Sequence, residues 1–511
     1  MNDKSLQEQY LRRILNSKVY DVAIESPLEE AAALSRKLGN HFLLKREDLQ
    51  GVHSFKIRGA YNKMSQLPRA ALEKGVLAAS AGNHAQGVAL SAKVLGCKAT
   101  IVMPVTTPEI KIASVKGYGA SIVLAGDSYS DAAAAAARLV AEKDYTFIPP
   151  YDDPEVIAGQ GTVAMEILRQ RPGALDAVFV PVGGGGFAAG VAVYLKAVRP
   201  GVKVFGVEPV DSDCMDRSIK AGRRVELSEV GLFADGVAVK KPGKITFDLC
   251  RRFLDGIVRV STDETCAAIK DIFEATRAIC EPAGALALAA AKQYAARKGT
   301  KDETYACIIS GANMNFDRIR FVSEQTEIGE KREAILECRI PEERGAFKSF
   351  IRKIGKRNVT EFNYRYFDPD KAYVFVGLSV ADRAETTRIV AQLTAARIGT
   401  IDLSDDELAK EHIRHMVGGH TRGIHDEVVY TFEFPERPGA LMDFLEAISN
   451  RWNITLFHYR NHGADHGKVL VGLQVPTAER TAFTAALKEL GYAFRDVSRN
   501  PAYRLFLGNR D

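Results

Sequence analysis

The sequence predicts a large α/β domain with a mainly parallel sheet, followed by two smaller sibling domains of ferredoxin-like α+β type. Three observations support this. Short β-branched runs alternate with longer helical stretches over residues 1–325, the pattern changes after that point, and two later segments repeat one another. A chain of 511 residues is long enough for about three domains. The divisions read as 1–325, 326–419 and 420–511.

In the first domain the candidate strands are Phe42–Lys45, Val76–Ala79, Thr100–Met103, Ser121–Leu124, Ala177–Val182, Lys203–Val207 and Tyr305–Ile309. Helical patterns such as His84–Leu95 and Asp131–Lys143 lie between them. Alternation of strand and helix implies βαβ units. Parallel strands are buried on both faces, so they read as nearly unbroken apolar runs.

The repeat rests on three matched blocks. Pro341-Glu-Glu-Arg-Gly-Ala-Phe347 matches Pro435-Glu-Arg-Pro-Gly-Ala-Leu441, and Asn358–Arg365 matches Asn453–Arg460. Tyr373–Val380 matches Lys468–Val475. The offset is 94 residues at the glycines and 95 in the later blocks, so one inserted residue accounts for the change. Two such copies are sibling domains, because solenoid units are shorter and need at least three copies. Each copy reads strand, turn, helix, strand, turn, strand, helix, strand, a βαββαβ order. Gly418–Gly423 reads as their linker.

Composition narrows the class. A net charge of +5 with scattered basic residues leaves no nucleic-acid footprint. No apolar run approaches the ~18 residues of a membrane helix, and the first residues lack the apolar core of a secretory signal. Seven cysteines without a C-x-x-C pair point to a reducing compartment, by default the cytoplasm, and away from structural zinc.

Chemistry is expected where strand ends open into polar, glycine-rich loops. These are Ser80-Ala-Gly-Asn-His-Ala-Gln-Gly87, Gly183-Gly-Gly-Gly-Phe187 and Ser310-Gly-Ala-Asn313. Four glycines between a strand and a helix bare their backbone N–H groups beside a helix N-terminus, which suits a phosphate. The spacing fits neither G-x-G-x-x-G nor a Walker loop, which disfavours a nucleotide. Taken alone, Lys56 reads as a solvated surface lysine. Flanked by Phe55 and Ile57 and paired with a phosphate cradle, it reads as a Schiff-base lysine.

Several ordered motifs together resemble fold-type II pyridoxal 5′-phosphate (PLP) enzymes, the tryptophan synthase β-like group. They are Lys45-Arg-Glu-Asp-Leu-Gln50, Ser54-Phe-Lys-Ile-Arg-Gly59, the Ser80–Ala85 loop, the tetraglycine and Cys280-Glu-Pro-Ala-Gly284. Within that group the chain is similar over nearly its whole length to the biosynthetic threonine deaminases (threonine ammonia-lyases), whose paired C-terminal domains are ACT-like. The resemblance implies that Lys56 holds PLP covalently, beside Phe55. Gly183, Gly184, Gly185, Gly186 and Phe187 bind its phosphate through backbone amides, Asn83 meets the 3′-oxygen, and Ser310 meets the pyridine nitrogen. Ser80, Ala81, Gly82, Asn83 and His84 receive the substrate carboxylate.

A serine hydroxyl does not hold a proton on the ring nitrogen as a carboxylate would, so β-elimination is favoured over transamination. L-serine is a second candidate substrate, and the implied reaction turns L-threonine into 2-oxobutanoate and ammonia, with Lys56 as general base. That is the first step of isoleucine biosynthesis. The resemblance further implies a homotetramer inhibited by isoleucine and relieved by valine, with Tyr364 and Tyr459 at the effector sites. Serine racemase, catabolic dehydratases, threonine synthase and a catalytically dead amino-acid sensor are the competing readings. The first two usually lack the paired C-terminal copies.

One departure concerns metal. Serine racemases carry a divalent-metal site after a Gly-Val-Glu-Pro segment. Here Gly206-Val-Glu-Pro209 is followed by Ser212 and Cys214, without the second acidic ligand in the expected place, so no metal is expected at Glu208. His412, His415 and His420 lack the neighbours of a zinc site and read as surface histidines.

Overall fold

The computed structural model describes residues 2–329, 332–341, 346–355, 357, 359–364, 371–415, 425–435, 448, 451–460 and 466–507. The chain divides into two compact units, Met1–Val322 and Ser323–Asp511.

The first unit holds two sheets, where the sequence suggested one. The larger runs in the order β1 (Leu28–Glu30), β2 (His41–Arg46), β10 (Thr304–Ile309), β7 (Ala177–Pro181), β8 (Lys203–Pro209) and β9 (Gly256–Val260). All its neighbours are parallel except β1, which is antiparallel to β2. After β2 the chain leaves to build the second sheet, β5 (Ser121–Leu124), β4 (Ala99–Met103), β3 (Val76–Ala79) and β6 (Thr146–Phe147), all parallel. It then returns for β7. This excursion places the loop after β3 on a different sheet from the loops after β7 and β10. Strands β1, β6 and β9 were not legible in the sequence. The first two have only three and two residues, too short for any periodicity to show.

Helix Lys56–Ser65 packs closely on helix Pro154–Gln170. A Cβ on Gly159 would lie 2.5 Å from the Arg58 carbonyl, and one on Gly59 would lie 2.9 Å from the Val156 carbonyl. Glycine is required at this crossing because any side chain would push the two backbones apart. Four wholly buried ionic side chains tie the same helices to β2. Arg58 donates to both oxygens of Glu47 at 2.7 and 2.8 Å and to both of Glu166 at 2.6 and 3.0 Å. Lys45 Nζ donates to Glu166 at 2.6 Å, and the Tyr20 hydroxyl adds a bond of 2.8 Å to the same carboxylate.

The second unit contains the two repeat copies. Each has a four-stranded antiparallel sheet: β12 (Val359–Tyr364), β13 (Lys371–Ser379), β11 (Glu333–Pro341), β14 (Gly399–Asp402), and then β16 (Asn453–Arg460), β17 (His466–Gln474), β15 (Glu427–Pro435), β18 (Ala493–Asp496). This is the ferredoxin-like order expected from the repeat. Side chains alternate along the strands as a pleated sheet demands. Ala334, Leu336 and Cys338 face a core that includes Phe350, Ile389 and Leu393 from helices Ala346–Ile354 and Arg383–Ala395. Ile335 and Phe375 face the other way.

There they join Leu403, Leu408 and Ile413 of the same copy and Val429, Leu470, Ala502, Tyr503 and Phe506 of the other. Phe375 and Phe506 meet edge to face, with centroids 5.5 Å apart. The two copies therefore share a core. Parts of the two Pro-Glu-x-x-Gly-Ala turns and the whole Gly418–Gly423 linker lie outside the described residues.

All seven cysteines are free. No described helix is long and apolar enough to cross a membrane.

Removing one member of a buried ion network leaves its partners charged and unpaired, which costs about 3–5 kcal/mol. We therefore expect Glu166→Ala to lower the unfolding free energy of the first unit by that amount, read from urea melts of the full-length protein. A loss below about 1 kcal/mol would show that the network contributes no more than a surface ion pair.

Candidate active site

Lys56 opens its helix, immediately after a bridge between Ser54 and Gly311 and a backbone bond from Phe55 N–H to the Ser310 carbonyl at 3.1 Å. The lysine is thus anchored beside the end of β10. Its Nζ donates to the Pro150 carbonyl at 3.0 Å. Burial disfavours the ammonium and lowers its pKa to about 8, against a smaller opposing pull from Glu281. A far larger share of the amine is neutral at physiological pH than for an ordinary lysine, although the ammonium still predominates, and this suits a nucleophile or base.

The tetraglycine forms a tight βα turn between β7 and helix Gly186–Val198. Gly183 and Gly185 take positive φ of 52° and 95°. A Cβ on Gly184 would lie 2.3 Å from the Tyr151 ring, and one on Gly186 would lie 2.8 Å from Gln160 Oε1. Both φ and space demand glycine here. The first-turn N–H groups of Gly186 and Phe187 have no intrahelical acceptor. The Gly185 N–H is spent within the turn, on the Val182 carbonyl at 2.9 Å. One correction to the expected phosphate set follows: Gly185 supplies shape and no donor. The Phe187 ring stacks on Phe55, with centroids 3.9 Å apart, and closes the floor of the site.

The loop after β3 runs into helix Asn83–Leu95, whose N-cap is Gly82 with no side-chain cap. The start of that helix therefore presents bare amides, a ready seat for a carboxylate. Within the loop, the Gly82 N–H turns back to Ser80 Oγ at 3.2 Å, and Ala81 lies between them, partly exposed.

The His84 imidazole does not face that seat. It is buried and its Nε2 meets the Ile148 carbonyl at 2.8 Å. Burial, aided by Lys56, lowers its pKa to about 3. It is neutral and must carry its proton on Nε2 to donate to a carbonyl. Only its backbone can serve an anion.

Asn83 is held from both sides. Asn313 Nδ2 donates to the Val52 carbonyl at 2.8 Å and to Asn83 Oδ1 at 2.7 Å. Since a backbone carbonyl only accepts, that atom of Asn313 is nitrogen, and Asn83 must turn its oxygen to it. Asn83 Nδ2 then donates to Glu281 Oε1 at 2.7 Å, with one N–H left over. Burial, and then Asp235, raises the Glu281 carboxyl to about 7. Glu281 and Asn313 were quoted in motifs but given no role by sequence reasoning. Ser310 follows β10 directly and is buried.

Glu208 accepts N–H bonds from Met215 at 3.0 Å and Asp216 at 2.8 Å, and burial raises its carboxyl to about 8. Its lone pairs go to a helix N-terminus. Among the described residues no group of three or more His, Cys, Asp and Glu could hold a metal ion. His412 is buried, contrary to the surface expectation, and His420 lies outside the described residues. In the second unit Tyr364 pairs with Val374, and Tyr459 with Val469, at equivalent register positions of the two copies. Their side chains lie outside what is described.

The chain is similar to known proteins over nearly its whole length. Residues 19–311 match the family model "Pyridoxal-phosphate dependent enzyme". Residues 324–413 and 418–507 each match "C-terminal regulatory domain of Threonine dehydratase". The chain is 57% identical to the biosynthetic L-threonine dehydratase of Burkholderia multivorans over 98% of its length and 99% of that protein's. It is 53% identical to the biosynthetic, chloroplastic threonine dehydratase 1 of Solanum lycopersicum, over 98% of this chain and 82% of that one. Among solved structures, the processed form of threonine deaminase isoform 2 from Solanum lycopersicum is similar, with a TM-score of 0.63 and 50% identity. That likeness covers 64% of this chain and 90% of the other.

A lysine with its pKa near 8 reacts as the free base at a pH where other lysines are still protonated. In protein freed of ligand, modification of Lys56 by cyanate, followed by peptide mass mapping, should rise with pH to a midpoint near 8. A midpoint above about 10 would mean that burial does not perturb the amine.

Proposed function

The chain belongs to the biosynthetic threonine dehydratases, a family of PLP-dependent lyases, and on that premise we propose how its own residues convert L-threonine to 2-oxobutanoate and ammonia. The observation that carries the proposal is the convergence of a lysine whose ammonium burial disfavours, a glycine turn with free amides and an uncapped helix start.

The cofactor fits this cleft and supplies an electron sink for the bond broken at Cα. Lys56 binds it covalently. The amides of Gly184, Gly186 and Phe187 face its phosphate at the N-terminus of a helix, where an anion is favoured. Asn83 offers its remaining N–H to the 3′-oxygen. Ser310 offers a hydroxyl to the pyridine nitrogen, a neutral partner that keeps the ring a weak sink and favours loss of the β-hydroxyl.

The substrate carboxylate sits on the amides at the start of helix Asn83–Leu95, together with the Ser80 hydroxyl and the backbone of Ala81 and Gly82. The Lys56 amine, whose ammonium burial disfavours, would take the Cα proton as general base. L-serine, lacking only a methyl, is the second substrate of this site.

The domains divide at 1–325, 326–419 and 420–511. The last two form the regulatory pair, on which isoleucine inhibits and valine relieves, with Tyr364 and Tyr459 at the effector sites. The working form is a cytoplasmic homotetramer, and the reaction is the first committed step toward isoleucine.

Lys56→Ala should abolish the covalent cofactor absorbance and lower kcat about 10²–10⁴-fold or more, as loss of a general base does. Retention of both signals would overturn the assignment. Initial rates of 2-oxobutanoate formation from L-threonine should fall when L-isoleucine is added and recover with L-valine. Rates indifferent to isoleucine would keep the lyase and remove the effector assignment.

A further inference from the structure

The glycine turn has a back as well as a face. The Gly184 carbonyl points away from the cleft and accepts a hydrogen bond from the Thr246 hydroxyl at 2.7 Å, and Thr246 is wholly buried. Two thiols stand behind the neighbouring carbonyls, Cys214 at 3.9 Å from that of Gly183 and Cys250 at 3.7 Å from that of Gly185. Thiols are weak donors, and the Gly243 N–H reaches the Gly184 carbonyl only at 3.4 Å, so the hydroxyl is the strong restraint.

A peptide unit is planar, with its C=O and N–H on opposite sides. Holding the Gly184 carbonyl therefore sends the Gly185 N–H toward the Val182 carbonyl, 2.9 Å away. That bond closes the turn, and the closed turn sets the neighbouring amides of Gly184 and Gly186 toward the cleft. Glycines at φ of 52° and 95° have little steric preference of their own, so an external restraint has to choose the conformation.

Thr246 is itself held from the far side. Helix Lys244–Phe253 has Gly243 at its N-cap and no side-chain cap of its own. Asp152 takes that place, accepting from the N–H groups of Lys244, Ile245 and Thr246 at 2.8, 2.8 and 3.2 Å. Asp152 follows Tyr151, whose ring lies against Gly184, and Pro150, whose carbonyl accepts from Lys56. Three consecutive residues thus touch the lysine, the glycine turn and the helix that carries Thr246.

We propose that Thr246 is a positioning residue for the phosphate cradle: its hydroxyl locks the Gly184–Gly185 peptide so that the flanking amides converge on a phosphate. The proposal rests on the cofactor reading above. It differs from ordinary packing behind a turn in one respect: its effect should be specific to ligands that carry the phosphate.

The test uses full-length apoprotein titrated with PLP and, separately, with pyridoxal, which keeps the aldehyde and lacks the phosphate. Loss of the shorter of the two hydrogen bonds to the Gly184 carbonyl should weaken PLP binding about tenfold in Thr246→Val, with pyridoxal affinity changed less than about twofold. Thr246→Ser, which keeps the hydroxyl, should retain wild-type affinity for both ligands. Should the valine variant fail to fold, Thr246→Ala replaces it.

Unchanged PLP affinity without the hydroxyl overturns the proposal. So does an equal loss for pyridoxal, which would mark general support of the site. So does a serine variant as weak as valine, which would assign the effect to the methyl group. Wild-type protein that bound PLP no more tightly than pyridoxal would instead overturn the cradle reading itself.

Discussion

Four buried charges determine where the reactive lysine stands. Lys45 comes from β2, Glu47 from the turn after it, Arg58 from the helix that Lys56 opens, and Glu166 from the long helix beneath. Two cations and two carboxylates cancel, and Tyr20, Ser26 and Thr162 complete their hydrogen bonds in one arrangement. Such a cluster contributes less to net stability than an apolar core of the same volume, because every charge must be stripped of water. It does confer geometry: an apolar contact tolerates sliding, whereas a bidentate guanidinium does not. Arg58 lies two residues beyond Lys56, so the start of the helix cannot shift without breaking the cluster.

The cleft above it is electrostatically quiet. Burial moves the lysine down, the Glu281 carboxyl up and the histidine toward neutrality. Charge on these three side chains is discouraged, while bare amides at two helix starts welcome negative charge from a ligand. The preference is therefore built from backbone dipoles, which cannot titrate and do not need to be desolvated again when the ligand arrives.

Features with a local signature could be read from the sequence. The tetraglycine, the polar loops after β3 and β10 and the tandem repeat all appear in short windows, because turn conformation, sheet alternation and duplication leave their mark on neighbouring residues. Features made by distant contacts could not. Asp152 caps a helix about ninety residues away, and Glu281 reaches Asn83 across the unit. The lost donor at Gly185 depends on a peptide orientation that no residue type encodes. Likewise, His84 was counted with the loop that receives the carboxylate, and only its burial against the Ile148 carbonyl shows that its ring is turned away. The split into two sheets was hidden because it concerns which strands pair, and pairing is invisible in a list of strands.

The shared core of the two repeat copies has a historical consequence. When a domain duplicates, either copy is at first dispensable, and drift or deletion can return the chain to its single form. Here the end helix of the second copy, Pro501–Phe506, completes the apolar face that Phe375 and Ile335 present from the first. Loss of either copy would strand the other with an uncovered sheet face. Once that contact formed, the duplication could no longer be undone in small steps, and each copy became free to lose whatever abilities the other retained. The divergence between them, arginine at 344 against proline at 438 and phenylalanine at 347 against leucine at 441, is the drift that such a lock permits.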